Sequence, residues 1–330
     1  MHPCSISVAG ENFQSVEQGY QWAKSWICED DCARKQVGEL SDDPVACKRR
    51  CKNRNLHWNV NPKLWENAKV HIMLSLQIAK YRQNDNLREL LLSTGDAWLI
   101  EASPYDAEWG SRLGKNDLQE YLQRTDAGLP GDNVMGNLLM EVRAYLLGSK
   151  NYPRVLIVAD SQGRVFPSSD RYHMLFLPGA KIQLIFKVLR MAFHDGYGVA
   201  MAFGGTNNVV VRRYTNGNPE EKVGQFKAVM EQFAKQIQRF QEESPQATLV
   251  LSEIPPRLGG NFVVESRRLI NRVNNSLAQL CNEHTRAKKQ GRLVLLKVSA
   301  SLCDPQFFKR QGDGTCDINL NDQGAEGRVR

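Results

Sequence analysis

Apolar positions recur at helical spacing from Val16 to Trp26, and again from Pro62 to about Gln83, where Leu64, Ala68, Ile72, Leu76 and Ala79 share one face. Between them, Asp42-Asp43-Pro44 reads as a helix start with proline in the first turn. A short helix follows over Leu87–Leu92 and is stopped by Thr94-Gly95-Asp96. Trp98-Leu99-Ile100-Glu101-Ala102 is brief and apolar enough for a strand, and Gly136–Leu147 returns to the helical period. This half is expected to be a helix-rich α+β domain over residues 1–148.

The texture changes after Asn151-Tyr152-Pro153. Arg154-Val155-Leu156-Ile157-Val158-Ala159 is a run of the kind that forms a strand buried on both faces. Similar runs recur at Gly198–Phe203, Thr248–Glu253 and Leu293–Val298, alternating with helical stretches at Ile182–His194, Lys222–Glu242 and Val264–Lys289. Strand and helix in alternation predict a parallel sheet with helices on both faces, a three-layer α/β domain over residues 152–330.

Composition narrows the class. With 330 residues, 42% hydrophobic and 24% charged, the chain is long enough for two globular domains and excludes collagen and coiled coil. No apolar run approaches a membrane span, and Met1-His2-Pro3-Cys4-Ser5 has no secretory character, so a soluble, cytoplasmic protein is expected. The net charge of +7 is uneven: −2 over residues 1–150 and +9 over 151–330. The basic residues of the second half are scattered, so they read mainly as a solvated surface and only weakly as a nucleic-acid footprint. Eight cysteines in this setting are expected to be thiols. Cys28 and Cys32, like Cys47 and Cys51, are spaced to share a helix face. Zinc, paired disulfides and plain apolar packing all remain open for them.

In the first half, Glu17 and Gln21 lie one turn apart on an otherwise apolar helix, with Lys24 beyond them. Asp106-x-x-Trp109-Gly110 forms a loop, and Gly131-x-Asn133-x-x-Gly136 opens the last helix. A pocket for a flat ring joined to a sugar or phosphate would follow. The helix start would attract an anion, the indole would stack on the base, and Glu17 would move protons.

Ser15-Val16-Glu17-Gln18-Gly19-Tyr20-Gln21-Trp22-Ala23-Lys24 and Trp65-Glu66-x-x-Lys69-x-x-x-Met73 resemble successive blocks of the NADAR (YbiA-like) family. So do Leu90 through Asp96, Asp106 through Gly110, and Gly131 through Arg143, in family order over roughly residues 5–147. The resemblance implies a compact α+β domain that hydrolyses N-glycosidic bonds. The described substrates are phosphoribosylamino-pyrimidine intermediates of riboflavin synthesis and ADP-ribosyl nucleobases, with no metal or other cofactor. It implies Glu17 as general base, Trp109 as stacking platform, Asp106 as a ribose or leaving-group contact, and Lys24, Gly110 and Asn133 as substrate-binding positions. Members of the family carry a strand and loop like Leu-Ser-Asn-Phe where this chain has Met1, so a pocket short of one wall is expected.

In the second half, Asp160-Ser161-Gln162-Gly163, Pro178-Gly179-Ala180 and Gly204-Gly205-Thr206-Asn207-Asn208 stand at strand ends and resemble the first three blocks of the SGNH (GDSL-like) hydrolases. That implies a flavodoxin-like fold with Ser161 as nucleophile and Gly179 and Asn207 in the oxyanion hole. The block that should supply Asp-x-x-His reads Cys316-Asp317-Ile318-Asn319, and no histidine follows His284. Asparagine accepts no proton near neutral pH, so this domain is expected to be inactive unless His284 serves as base. The reading is therefore an N-glycosidase acting on a small ribosyl or nucleotide ligand, fused to a degenerate hydrolase domain whose protein partner is unknown. The alternatives are a non-catalytic ADP-ribose or nucleotide binder and an esterase acting through Ser161.

Overall fold

The computed structural model describes residues 3–27, 31–39, 43–52, 62–124, 128–149, 152–161, 163, 169, 171–209, 219–255, 263–287, 291–297, 308–310 and 316–320. The chain divides into two compact units, one of residues 1–60 and 69–152, the other of 61–68 and 153–330.

The first unit opens with a hairpin that hydropathy spacing did not reveal, because each strand has only three residues. In it β1 (Ile6–Val8) pairs antiparallel with β2 (Glu11–Phe13). The two-residue turn places Ala9 at φ 54° and Gly10 at φ 76°, the left-handed pair that matches hairpin twist. Among the described residues seven helices follow: α1 (Val16–Ile27), α2 (Asp31–Gly38), α3 (Pro44–Lys52), α4 (Pro62–Gln83, which enters this unit at Lys69), α5 (Asp85–Leu92), α6 (Lys115–Arg124) and α7 (Val134–Leu146). Pro44 is the first residue of α3, and the Asp43 carboxylate accepts from the Val45 N–H at 2.9 Å, as the sequence of that start implies. Helix α6 has no buried residue, although Leu118, Tyr121 and Leu122 share one face.

Residues 98–102 form no strand. They run extended, but a strand needs a neighbour, and here one side chain supplies it: the Asn133 amide accepts from the Glu101 N–H and donates to the Leu99 carbonyl, each at 2.9 Å.

The second unit is a five-stranded, all-parallel sheet in the order β4 (Tyr172–Phe176), β3 (Val155–Ala159), β5 (Val199–Phe203), β6 (Thr248–Ser252), β7 (Arg292–Leu296). This is the flavodoxin-like order, with the chain reversing direction across the sheet on either side of β3. Edge strand β4 escaped the sequence reading because only Leu175 is fully buried and His173 interrupts the apolar run. Alternation splits the central strands into two faces. Ile157, Ala159, Met201 and Phe203 form one cluster, while Leu156, Val158, Ala200 and Ala202 point the other way and are equally enclosed.

Helices α8 (Ile182–Ala192), α9 (Pro219–Glu243) and α10 (Val263–Arg286) pack in series: α8 on β3 and β5, α9 on α8 and α10, and α10 on β7. Arg190 of α8 forms a largely buried two-pronged ion pair with Glu243 of α9. Asn274 of α10 bonds both the N–H and the carbonyl of Ile254, at 2.8 and 2.9 Å, fixing the chain as it leaves β6. A separate hairpin joins β8 (Phe308–Arg310) to β9 (Cys316–Leu320). Among the described residues, no helix is long and apolar enough to cross a membrane.

Candidate active site

The motif Ser15-Val16-Glu17-Gln18 starts α1 by mutual capping. The Ser15 hydroxyl accepts from the Gln18 N–H at 3.1 Å, and the Gln18 side chain accepts from the Gln14 N–H at 2.7 Å. This leaves Glu17 in the first turn, where the helix dipole favours negative charge. One carboxylate oxygen accepts from the Gln21 amide at 2.8 Å. Tyr20, three residues on, meets the Trp109 ring edge-on with centroids 5.8 Å apart. Glu17, Tyr20 and Gln21 thus form one face of α1 that lines a cavity of about 410 Å³.

The opposite wall is the 101–109 loop, which brings Glu101, Ser103, Asp106 and Trp109 to the same cavity. Asp106 accepts from the Trp109 N–H at 2.8 Å, closing a tight turn that fixes both side chains. Lys69, buried in α4, forms an ion pair with Glu108 and holds this loop from behind.

The glycine-rich segment before α7 acts differently from the expectation. The N–H groups of Asp132, Asn133, Val134 and Met135 donate to the carbonyls of Ala107, Gly110, Glu108 and Trp109, at 2.7 to 3.1 Å. The donors a phosphate would need at this helix start are therefore already engaged by the loop. A Cβ on Gly131 would stand 2.4 Å from the Gly110 carbonyl, and one on Gly136 would stand 2.1 Å from the Leu99 carbonyl. The glycines are there for backbone approach. Asn133 is buried at φ 51° with both amide groups bonded to the backbone. Asn133 and Gly110 stand outside the cavity lining and support its wall.

Lys24 is also absent from the lining. Its charge acts on Cys51, whose thiol is drawn below the usual range chiefly by its hydrogen bond with Cys47, with Lys24 and Arg50 helping and burial and Glu17 opposing. The Cys47 thiol is pushed up by the same pairing. Cys47 and Cys51 are buried on α3, whereas Cys32 is exposed on α2 and accepts from the Gln36 amide; Cys28 lies outside the described residues. Among the described residues no group of three or more His, Cys, Asp or Glu side chains is placed to hold a metal.

Two cations that sequence spacing did not single out do line the cavity. Lys48 arrives on α3 and Lys80 on α4. Burial pushes the Lys80 ammonium below the usual lysine range, and the group lies 4.9 Å from the Tyr81 ring centroid. Lys48 could have been inferred from its place between two cysteines that face inward. Lys80, a cation among apolar positions of α4, carried the kind of signal that marked Glu17 on α1.

In the second unit, Ser161 follows β3, Gly179 (φ 78°) follows β4, and Asn207 follows β5. Parallel strands place all three at the same end of the sheet. The Asn207 amide donates to the Ala180 carbonyl at 3.0 Å, joining the second and third of these loops. His284 does not join them. It ends α10, and its Nε2 lies 3.1 Å from both the Gly291 carbonyl and the Gln241 amide, just before β7 begins. That is the amino end of the sheet, so the position of His284 rules it out as the base for Ser161. Asn319 and Cys316 fall on β9, with side chains outside the described set.

Similarity to known proteins agrees with the geometry of the first unit. An N-glycosidase of Acanthamoeba polyphaga mimivirus is 34% identical over 137 residues, covering 41% of this chain and 76% of that protein. N-glycosidase YbiA of Escherichia coli is 32% identical over 143 residues, 43% of this chain and 75% of that protein. A chloroplastic riboflavin biosynthesis protein of Zea mays is 31% identical over 158 residues, 44% of this chain and 23% of its own length. Among solved structures, a carbohydrate esterase family 3 protein of Talaromyces cellulolyticus aligns with a TM-score of 0.38 at 14% identity, over 54% of this chain and 94% of that one. Residues 1–147 match the NADAR domain, and with relatives this similar over three quarters of their length the chain belongs to the NADAR family.

Proposed function

We propose that the first unit hydrolyses the N-glycosidic bond of a ribosylated substrate. The observation that carries the reading is the convergence of Glu17, Asp106 and Trp109 on one cavity, in a chain whose relatives are named N-glycosidases. Glu17 takes a proton from water as the water oxygen attacks C1 of the sugar. The bond from C1 to the base nitrogen breaks through an oxocarbenium-like state with its electron pair on nitrogen; the base takes a proton from solvent, and Glu17 returns the one it took from water to solvent. Gln21 orients the Glu17 carboxylate. Asp106, with one oxygen committed to the Trp109 N–H, turns the other to the ribose hydroxyls. Trp109, braced by Tyr20, supplies a flat surface for the sugar. Lys48 takes the phosphate role that the α7 start, Lys24 and Asn133 do not fill.

The substrates that suit this site are phosphoribosylamino-pyrimidines and ADP-ribosyl nucleobases. The reading is tested with a panel of such N-glycosides in water enriched in heavy oxygen. Ribose 5-phosphate or ADP-ribose should appear carrying the label at C1; intact substrates across the panel, or release without label, would sink hydrolysis. The second unit is assigned no turnover, because His284 sits at the wrong end of its sheet.

A further inference from the structure

The first unit contains a second chamber, of about 260 Å³, which shares Lys80, Tyr81, Glu101 and Leu139 with the larger cavity. We propose that this chamber receives the heteroaromatic ring that leaves the sugar. The inference rests on the N-glycosidase reading above and assigns the parts of its substrate to separate compartments.

The argument is one of polarity. The larger cavity sets Glu17, Gln21, Lys48, Ser103 and Asp106, groups that exchange hydrogen bonds with hydroxyls and phosphate, beside Trp109 and Met73. Apart from the wall the two share, the second chamber is lined by Leu87, Leu90, Leu91, Leu99 and Ile100, with Thr94 and Gly136. A ribosyl N-glycoside has the same asymmetry, a polyhydroxylated sugar on one side and a flat ring with two apolar faces on the other. Placing the sugar among aliphatic side chains would strand its hydroxyls, whereas placing the ring there removes apolar surface from water.

Leu90 supports the assignment from the rim. It is 64% exposed on α5 although it lines the chamber, an arrangement that a ring laid against it would relieve. The shared wall adds the polar reading of the ring. The Glu101 carboxylate accepts from an amino substituent, and Lys80 donates to a ring nitrogen or carbonyl. Glu101 is held for this by its backbone, with its N–H on Asn133 and its carbonyl accepting from Ser111. The occupant is therefore an amino-substituted heteroaromatic ring with an acceptor beside the amino group.

The test uses free ligands on the full chain, so it needs no turnover. Diaminopyrimidinone and adenine probe the second chamber, and ribose 5-phosphate probes the larger one, all by calorimetric titration. Leu90→Asp, at an exposed position, and Ile100→Trp, which fills the chamber, should each weaken ring binding at least about tenfold and leave ribose 5-phosphate affinity unchanged. Ring binding that neither variant alters, competition between ring and ribose 5-phosphate for one place, or no ring binding at all would overturn the proposal. A chain that binds the ring through Leu90 yet releases no sugar from any N-glycoside would overturn the glycosidase reading and leave the chamber assignment standing.

Discussion

The two units place their polar residues by opposite means. In the second, a parallel sheet carries Ser161, Gly179 and Asn207 to one end simply because its strands point the same way. In the first, the cavity is walled by a loop with no regular structure, held by four carbonyls capping α7, the Asn133 amide and the Lys69–Glu108 ion pair. His284 is not carried to that end: it is fixed beside Gly291, at the amino end of the sheet. The irregular loop has brought Glu101, Asp106 and the Trp109 indole to a space that three helices line with Glu17, Lys48 and Lys80. A site depends less on the regularity of its scaffold than on whether each group is separately anchored.

Substitutions in the anchoring of the loop sharpen this contrast most. Gly136→Ala drives a methyl group to 2.1 Å from the Leu99 carbonyl, so the wall must move. The expected cost is roughly 3 kcal/mol or more, with loss of sugar release, read by denaturant unfolding and product assay. Asn133→Ala removes both backbone bonds to the 99–101 segment and should cost about 2 kcal/mol. An Asn133→Ala protein as stable as wild type would show that the loop is held by something other than that amide.

A smaller effect concerns pH. Burial pushes the Glu141 carboxyl up to about 7, against a hydrogen bond from Tyr152 that favours the charged form. A carboxyl raised in the folded state binds its proton more tightly there. Its contribution to stability is therefore whole below the ordinary carboxylate range and is lost as pH rises through about 7. Glu141→Gln should flatten that part of the stability profile and raise stability at pH 8 by about 2 kcal/mol. Parallel profiles for the two proteins between pH 5 and pH 8 would contradict this. At the bottom of the scale, Ser161→Ala should leave N-glycoside hydrolysis unchanged, since the described residues that line the cavity all belong to the first unit; a matching loss of sugar release would give Ser161 a part in that reaction.

Legibility in the sequence divides along the same line. Long helices and buried strands were readable because burial imposes a period: α4 over 62–83, β3, β5 and β6 lie within a residue or two of the expected positions. The short hairpin β1–β2 and the edge strand β4 are too brief or too little buried to show one. Residues 98–102 had the composition of a strand, but the partner that would make them one is an amide 32 residues away from Glu101. Glu17, Asp106 and Trp109 were readable as polar residues in motif positions. The glycines around Asn133 suggested an anion site because a free helix start and a capped one have the same spacing. Only the 107–110 carbonyls distinguish them. Lys80 was readable by the same rule as Glu17, as a charged residue among apolar helical positions.

The most direct test compares wild type with Glu17→Gln, a change that keeps the hydrogen-bonding shape beside Gln21 and removes the proton acceptor. Release of ribose 5-phosphate or ADP-ribose should fall by roughly 10²–10⁴-fold with Tm unchanged, as expected when a general base is lost from an intact site. Equal release by the two folded proteins would contradict the assignment of Glu17, and with it the hydrolytic mechanism proposed for this cavity.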